Sequence, residues 1–292
     1  MAGRRSSFSL ELSRHRAKLV LTDRRTESYE LSVGGIPQST VSLRFPELLD
    51  YPYVRHIARV IDAAAPPGEP LRLVHLGAGA LTLPRYAAAT RPGSPQLVVE
   101  FEPALYEAVV AALPLPAGSD IRMLAGDARA LAEQSPNAEG WHDAAVTVVD
   151  LWDAARIAAR VASAEFYGAV AGRMAPGGVM AVNLLDGGSF EWARGQAATL
   201  ASLRPHVAVV LDSEPGGAWP EPDNVVVLAS DAPLAVVAHP ELLDDPDAEE
   251  PRPHILSGAR LTEWIAGAAV VTDATAVDSP DPDDPRFTPP RR

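Results

Sequence analysis

The run Val148-Val149-Asp150-Leu151-Trp152-Asp153 places two carboxylates three residues apart directly behind an apolar stretch. A carboxylate delivered by a buried strand into a crevice can hold a cationic amine or take its proton, because burial and neighbouring charge tune its pKa. Upstream, Leu73-Val74-His75-Leu76 leads into Gly77-Ala78-Gly79 and then into a helical stretch. Glycines at a strand-to-helix turn let backbone approach a ligand closely, and the helix start offers free N–H groups, so this segment is a candidate nucleotide site. Thr82 stands where a dinucleotide fingerprint has its third glycine, which disfavours a pyrophosphate. Glu100 closes the next apolar run, about twenty residues on, at the usual place of an acid that accepts from ribose hydroxyls. Asp127, in Gly126-Asp127-Ala128, follows the third run and either reaches an adenine edge or caps the next helix. A tight turn also explains a lone Gly-x-Gly, and solvation explains a lone strand-end acid. Together, at the carboxyl ends of successive strands, these residues describe one crevice.

The elements that must position them alternate. Strands are predicted near 71–76, 96–100, 121–125, 144–150 and 178–184, with helices over 80–90, 103–112, 128–134, 162–174 and 189–203. This texture belongs to βαβ units and a mainly parallel, Rossmann-like α/β sheet of the class I methyltransferase type. Pro176-Gly177-Gly178 is a turn into the fifth strand, and 206–211 with 224–229 form a closing hairpin. Ahead of this core, Lys18 to Leu21 and Tyr29 to Val33 flank a Gly34-Gly35 turn as a small β-hairpin module, and Tyr53 to Ala64 has helical spacing. Three regions follow: 1–66, hairpin and linking helix; 67–232, the nucleotide-binding transferase domain; 233–292, an acidic, Pro-rich segment expected to be partly disordered. Within the last, Ile255 to Ala266 is expected to form one short helix carrying Trp264.

Composition narrows the chemistry. The absence of cysteine excludes a disulfide framework, a thiolate metal site and a cysteine nucleophile. A net charge of −13 opposes general nucleic-acid binding and suits a cationic substrate. Apolar runs are interrupted well short of a membrane span, and the Arg4-Arg5 start has no apolar core behind it, so a cytoplasmic protein without membrane partners is expected. No metal triad emerges: His75 lies in a buried strand and His142 beside Trp141, as structural histidines do. Trp152 and Trp192 fit core or lid packing, Asn183 fits a crevice border or helix-entry polarity, and Ser163 fits a helix N-cap with no nucleophile elbow around it.

From Tyr29 to Ser230 the residues resemble the spermidine and spermine synthase family, in particular its shorter spermidine synthase-like branch. Tyr29 to Gln38 resembles the family's hairpin ending in a nucleotide-contacting glutamine, here Gln38, and Tyr53 the tyrosine opening the substrate-side helix. Gly77 and Gly79 match the glycine loop, Glu100 the ribose acid, and Asp127-Ala128 the adenine contact. Asp150-x-x-Asp153 matches the family's Asp-x-x-Asp, which implies Asp150 as proton acceptor and Asp153 as a polyamine contact. Ser163 to Tyr167 and Leu184 also fit. The resemblance implies transfer of an aminopropyl group from decarboxylated S-adenosylmethionine to a small-molecule amine, without a metal, and is compatible with a homodimer.

Three departures qualify it. Ala80 stands where the family's loop carries an amine-holding aspartate, Val54-Arg55 replaces His or Gln followed by Glu, and Ala154 replaces a proline. Each lost charge-assisted contact is worth about 1.5–3 kcal/mol. Two alternatives stay open: a methyltransferase using intact S-adenosylmethionine, whose carboxylate Arg55 or Arg85 would accept, and a catalytically inactive nucleotide-binding homologue serving in an assembly.

Overall fold

The computed structural model describes residues 7–134, 140–215, 222–244 and 252–281. The chain opens with a four-stranded antiparallel sheet, β1 (Phe8–Glu11), β2 (Arg16–Asp23), β3 (Ser28–Val33) and β4 (Ile36–Ser42), in sequential order. The expected hairpin is thus its middle pair. Alternation explains the extension: Ala17, Leu19, Leu31 and Val41 face inward and are buried while their neighbours stay polar. Helix α1 (Pro52–Ala63) follows, with proline in its first turn and Val54, Ile57, Ala58 and Ile61 buried at i, i+3, i+4, i+7 spacing.

The core sheet contains β5 (Leu73–Leu76), β6 (Pro95–Glu100), β7 (Asp120–Ala125), β8 (Ala144–Val149), β9 (Met174–Asp186), β10 (His206–Leu211), β11 (Asp223–Ser230) and β12 (His254–Ser257). Their order is β12-β10-β11-β9-β8-β5-β6-β7. The five strands from β9 to β7 run parallel, and β11, β10 and β12 are added antiparallel. Helices α2 (Thr82–Thr90), α3 (Pro103–Ala112), α4 (Ala128–Ala132), α5 (Ala164–Ala171) and α6 (Glu191–Leu203) fill the connections. Both faces are covered, as near-continuous apolar parallel strands require. Leu73, Val146, Val148, Val210 and Leu228 pack on α1, whereas Val74, Leu76, Val182, Val209 and Val227 pack towards α5 and α6.

Two expectations change. Pro176-Gly177-Gly178 lies inside β9, where the pairing with β8 shifts register between Ala144 and Val146, so it is a bulge instead of a turn. Of 255–266, only α7 (Gly258–Trp264) is helical, because the preceding apolar residues extend the sheet as β12 on β10. Much of 252–281 is strapped to the body. Asp273 binds Arg129 and Ser163, Asp281 binds Arg156 at 2.6 Å, and Ser279 exchanges two 2.9 Å bonds with Ile157. Asp273 and Asp281 are therefore partners of arginines where composition alone suggests a solvated tail. Asp245 to Asp247 and 282–292 lie outside the described residues. No described helix is long and apolar enough to cross a membrane.

Candidate active site

The strand order dictates the site. With β8, β5, β6 and β7 adjacent, their carboxyl ends present Asp150, Gly77, Glu100 and Asp127 side by side. Backbone bonds lock the ends together: Asp150 N to Leu76 O at 3.0 Å, Gly77 N to Val99 O at 2.9 Å and Gly126 N to Glu100 O at 2.9 Å. Gly77 has φ +97, and a Cβ there would collide with the Asp150 carbonyl; at Gly79, φ +48, it would collide with Ser39 Oγ. Both glycines are required by close approach as well as by left-handed backbone.

Around the glycine loop the polar work is done by backbone. Glu100 accepts from Ala78 N through Oε2 at 2.9 Å and from Glu102 N through Oε1 at 2.8 Å, holding the loop in shape. Burial pushes its carboxyl up, against these bonds, which favour the charged form. Asp127 caps α4 through Ala130 N at 2.9 Å and pairs with Arg160, so the capping role and a cavity position coexist. The N-terminal sheet reaches across: Ser39 Oγ accepts from Ala80 N at 3.1 Å, and Thr82 Oγ1 donates to Thr40 O at 2.7 Å. Ala80 is fully buried in the apolar cluster under this sheet and does not line the cavity.

Beyond β8 the polar work is done by side chains. Asp150 Oδ1 accepts from Trp152 Nε1 at 2.7 Å and from Asn183 Nδ2 at 2.8 Å; Asn183 in turn accepts from Asn224 Nδ2 at 3.0 Å. Burial pushes the Asp150 carboxyl up while the bonds from Asn183 and Trp152 pull it back. Among the described residues Oδ2 accepts no hydrogen bond. Tyr53 is held well above the usual tyrosine range, by burial first and by the Asp150 charge second, so its phenol remains a donor. Asp153 is occupied at both oxygens: Arg14 Nη1 donates to Oδ2 at 2.6 Å and His15 Nε2 to Oδ1 at 2.9 Å. Gln38 Nε2 donates to Ala154 O at 2.9 Å, tying the N-terminal sheet to the same turn.

One cavity of about 460 Å³ brings together Gln38, Tyr53, Gly77, Gly79, Glu100, Asp127, Ala128, Asp150 and Asp153. Arg55 and Arg85 are not among its walls. Arg55 donates to the carbonyls of Leu49 and Asp50, and buried Arg85 to those of Ala80, Leu113 and Pro114, so the expectation that either meets a ligand carboxylate is corrected. Backbone carbonyls exposed at helix and loop ends claim them first. His75 also reaches the wall, but it is bonded to Gln96 at 3.0 Å and burial drives its pKa down to about 4, which keeps it neutral and structural. Sequence reasoning missed Arg14, His15, Ser39 and Asn224. Nothing local marks them; Asn183, one polar residue in an apolar strand, was the available signal. Among the described residues no group of three His, Asp or Glu side chains is placed to hold a metal ion.

No protein-family model and no curated protein matches the chain. Solved structures do. A probable spermidine synthase from Corynebacterium glutamicum is 24% identical and superposes with a TM-score of 0.79 over 91% of this chain and 95% of that one. A spermidine synthase in complex with the transition-state analogue AdoDATO is 14% identical, with a TM-score of 0.57 over 81% and 74%. Human methyltransferase-like protein 13, in complex with SAH, is 17% identical, with a TM-score of 0.50 over 69% and 96%. At these identities the likeness carries the fold: this chain shares the fold of the spermidine synthases, a class I methyltransferase-type sheet with a small antiparallel sheet at its N-terminal side.

Proposed function

We propose that the chain is a transferase that takes an S-adenosyl sulfonium donor along Gly77, Gly79, Glu100 and Asp127 and delivers an aminopropyl group to an amine, with Asp150 as base. Asp150 carries the reading: a carboxylate at a central strand end, facing the cavity, with both hydrogen bonds on Oδ1 and Oδ2 left towards a ligand. The glycine cradle suits a nucleotide, and the carboxylate of Glu100 retains lone pairs for ribose hydroxyls beyond the two it gives to backbone. Structures of this fold hold AdoDATO and SAH.

When bound, the donor supplies a carbon beside a sulfonium, so that the amine lone pair forms the C–N bond while the C–S pair returns to sulfur. A protonated amine has no lone pair, so Asp150 must take its proton. Burial raises the basicity of Asp150, and the bonds from Asn183 and Trp152 fix its plane. Tyr53 offers its O–H beside it. Arg55 and Arg85, committed to backbone carbonyls, give no support to an intact donor's carboxylate. The test is incubation of the full chain with each donor and a panel of amines. Release of methylthioadenosine, lost in Asp150→Asn, is expected; release of S-adenosylhomocysteine would make it a methyltransferase, and neither product would leave a binding protein.

A further inference from the structure

The far end of the acceptor must lie in the part of the cavity lined by the turn after Asp150 and by the tip between β1 and β2. A diamine reacting at Asp150 would bring a second ammonium there and would need a free carboxylate. Asp153 does not offer one, since it already receives Arg14 on one oxygen and His15 on the other, and Glu102 on the same wall has one oxygen taken by Ser13 N and Oγ. Inserting an ammonium would either displace Arg14 or place two cations against each other, and like charges at contact distance oppose binding. Arg14, by contrast, has capacity left. Only one N–H of its five donors is engaged among the described residues, and its side chain is 66% exposed towards the opening. A guanidinium with free donors at the mouth of a cavity is suited to a carboxylate, which it can hold through two parallel bonds.

We propose that the acceptor is a zwitterionic amine, with its nucleophilic nitrogen at Asp150 and a carboxylate at its far end held by the free donors of Arg14. This rests on the transferase reading above and specifies its substrate class. Asp153 then acts as a positioning residue that orients Arg14, and the selectivity of the site lies on the β1–β2 tip.

The probes are two amines of equal length, 4-aminobutanoate and 1,4-diaminobutane, titrated by calorimetry into the full chain saturated with methylthioadenosine. The expected result is binding of the aminobutanoate at least tenfold tighter, reversal of that order in the double variant Arg14→Ala, His15→Ala, and weaker aminobutanoate binding in Asp153→Asn, where Arg14 is no longer oriented. Arg14 and His15 lie on an exposed tip, so the variants retain the core, checked by unaltered methylthioadenosine affinity. Preference for the diamine in the wild-type chain, or an order unmoved by the double variant, overturns the proposal and leaves the transferase reading standing. Binding of neither amine to the nucleotide-loaded chain overturns it too. Failure of methylthioadenosine and both donors to bind overturns the transferase reading itself, and the acceptor proposal with it.

Discussion

The two halves of the cavity are built from different materials. The half proposed to take the donor is made of strand ends and loop backbone contributed by consecutive βα units: Glu100 secures Ala78, only 22 residues away, and Asp127 caps its own helix. The half proposed to take the acceptor is assembled largely from side chains that are far apart in the chain: Arg14 meets Asp153 across 139 residues, Gln38 meets Ala154 across 116, and Asp150 is held by Asn183 of β9, itself bonded to Asn224 of β11. Backbone geometry tolerates little change, because Gly77 sits against the Asp150 carbonyl with no room for a Cβ. Side chains on a surface tip can change without disturbing the sheet. Under the proposed transferase reading such a construction would keep the donor class while letting the acceptor drift, in line with Ala80, Val54 and Arg55 standing where the resembled family holds its amine.

The sharpest break of this comparison is Asp150→Asn. It removes the proposed base while keeping shape and a hydrogen-bonding oxygen, so kcat should fall by about 10²–10⁴. Methylthioadenosine affinity should stay within about threefold, since the donor half is untouched. Equal losses in both, measured by initial rates and calorimetry, would show that the halves are not separable. Glu100→Gln is the converse. It turns one of the two oxygens that accept from Ala78 N and Glu102 N into an NH2 that cannot accept, and it weakens any bond to ribose; at about 1.5–3 kcal/mol for a charge-assisted bond, nucleotide affinity should drop ten- to a hundredfold, with kcat at saturating donor little changed.

A smaller effect concerns pH. Asp150, the proposed base, can take a proton only when ionised, and burial raises its pKa, so activity should fall as pH drops through a value raised above the ordinary one for an aspartate. The bond from Asn183 pulls in the opposite direction. Asn183→Ala should therefore move the acidic limb of the kcat profile to higher pH, with nucleotide affinity unchanged. A limb that stays in place would remove Asn183 from the tuning of the base.

Legibility in the sequence follows the same division. The strands and helices from β5 to α6, and the line of Gly77, Glu100, Asp127 and Asp150, were readable because each is announced by a local pattern: an apolar run, a glycine turn, an acid at a strand end. β12 was hidden because four residues in a Pro- and Asp-rich stretch carry too little periodicity, and only the open edge of β10 recruits them. The ion pairs of Asp153 were invisible for another reason. Nothing in the spacing of Arg14 and His15 relates them to a residue 138 or 139 positions away; only closure of the N-terminal sheet over the crevice does. Ala80 was readable as a missing aspartate but not as an inward-facing methyl.

The smallest effect tests where the halves touch. Ser39 belongs to the N-terminal sheet, yet its hydroxyl accepts from Ala80 N inside the glycine loop and sits where a Cβ of Gly79 would go. Ser39→Ala leaves a partly buried N–H without its acceptor, a cost of about 1 kcal/mol in unfolding free energy at the lower end of that class, measurable as a lowered urea midpoint at constant slope. If the sheet only closes over the acceptor, methylthioadenosine affinity should be unaffected beyond about twofold, since Glu100 still holds Ala78. A larger loss of nucleotide affinity would mean that the N-terminal sheet sets the shape of the glycine loop. Changes at the β1–β2 tip would then be felt at the donor as well as at the amine, and the freedom of the acceptor half to drift would end at β4.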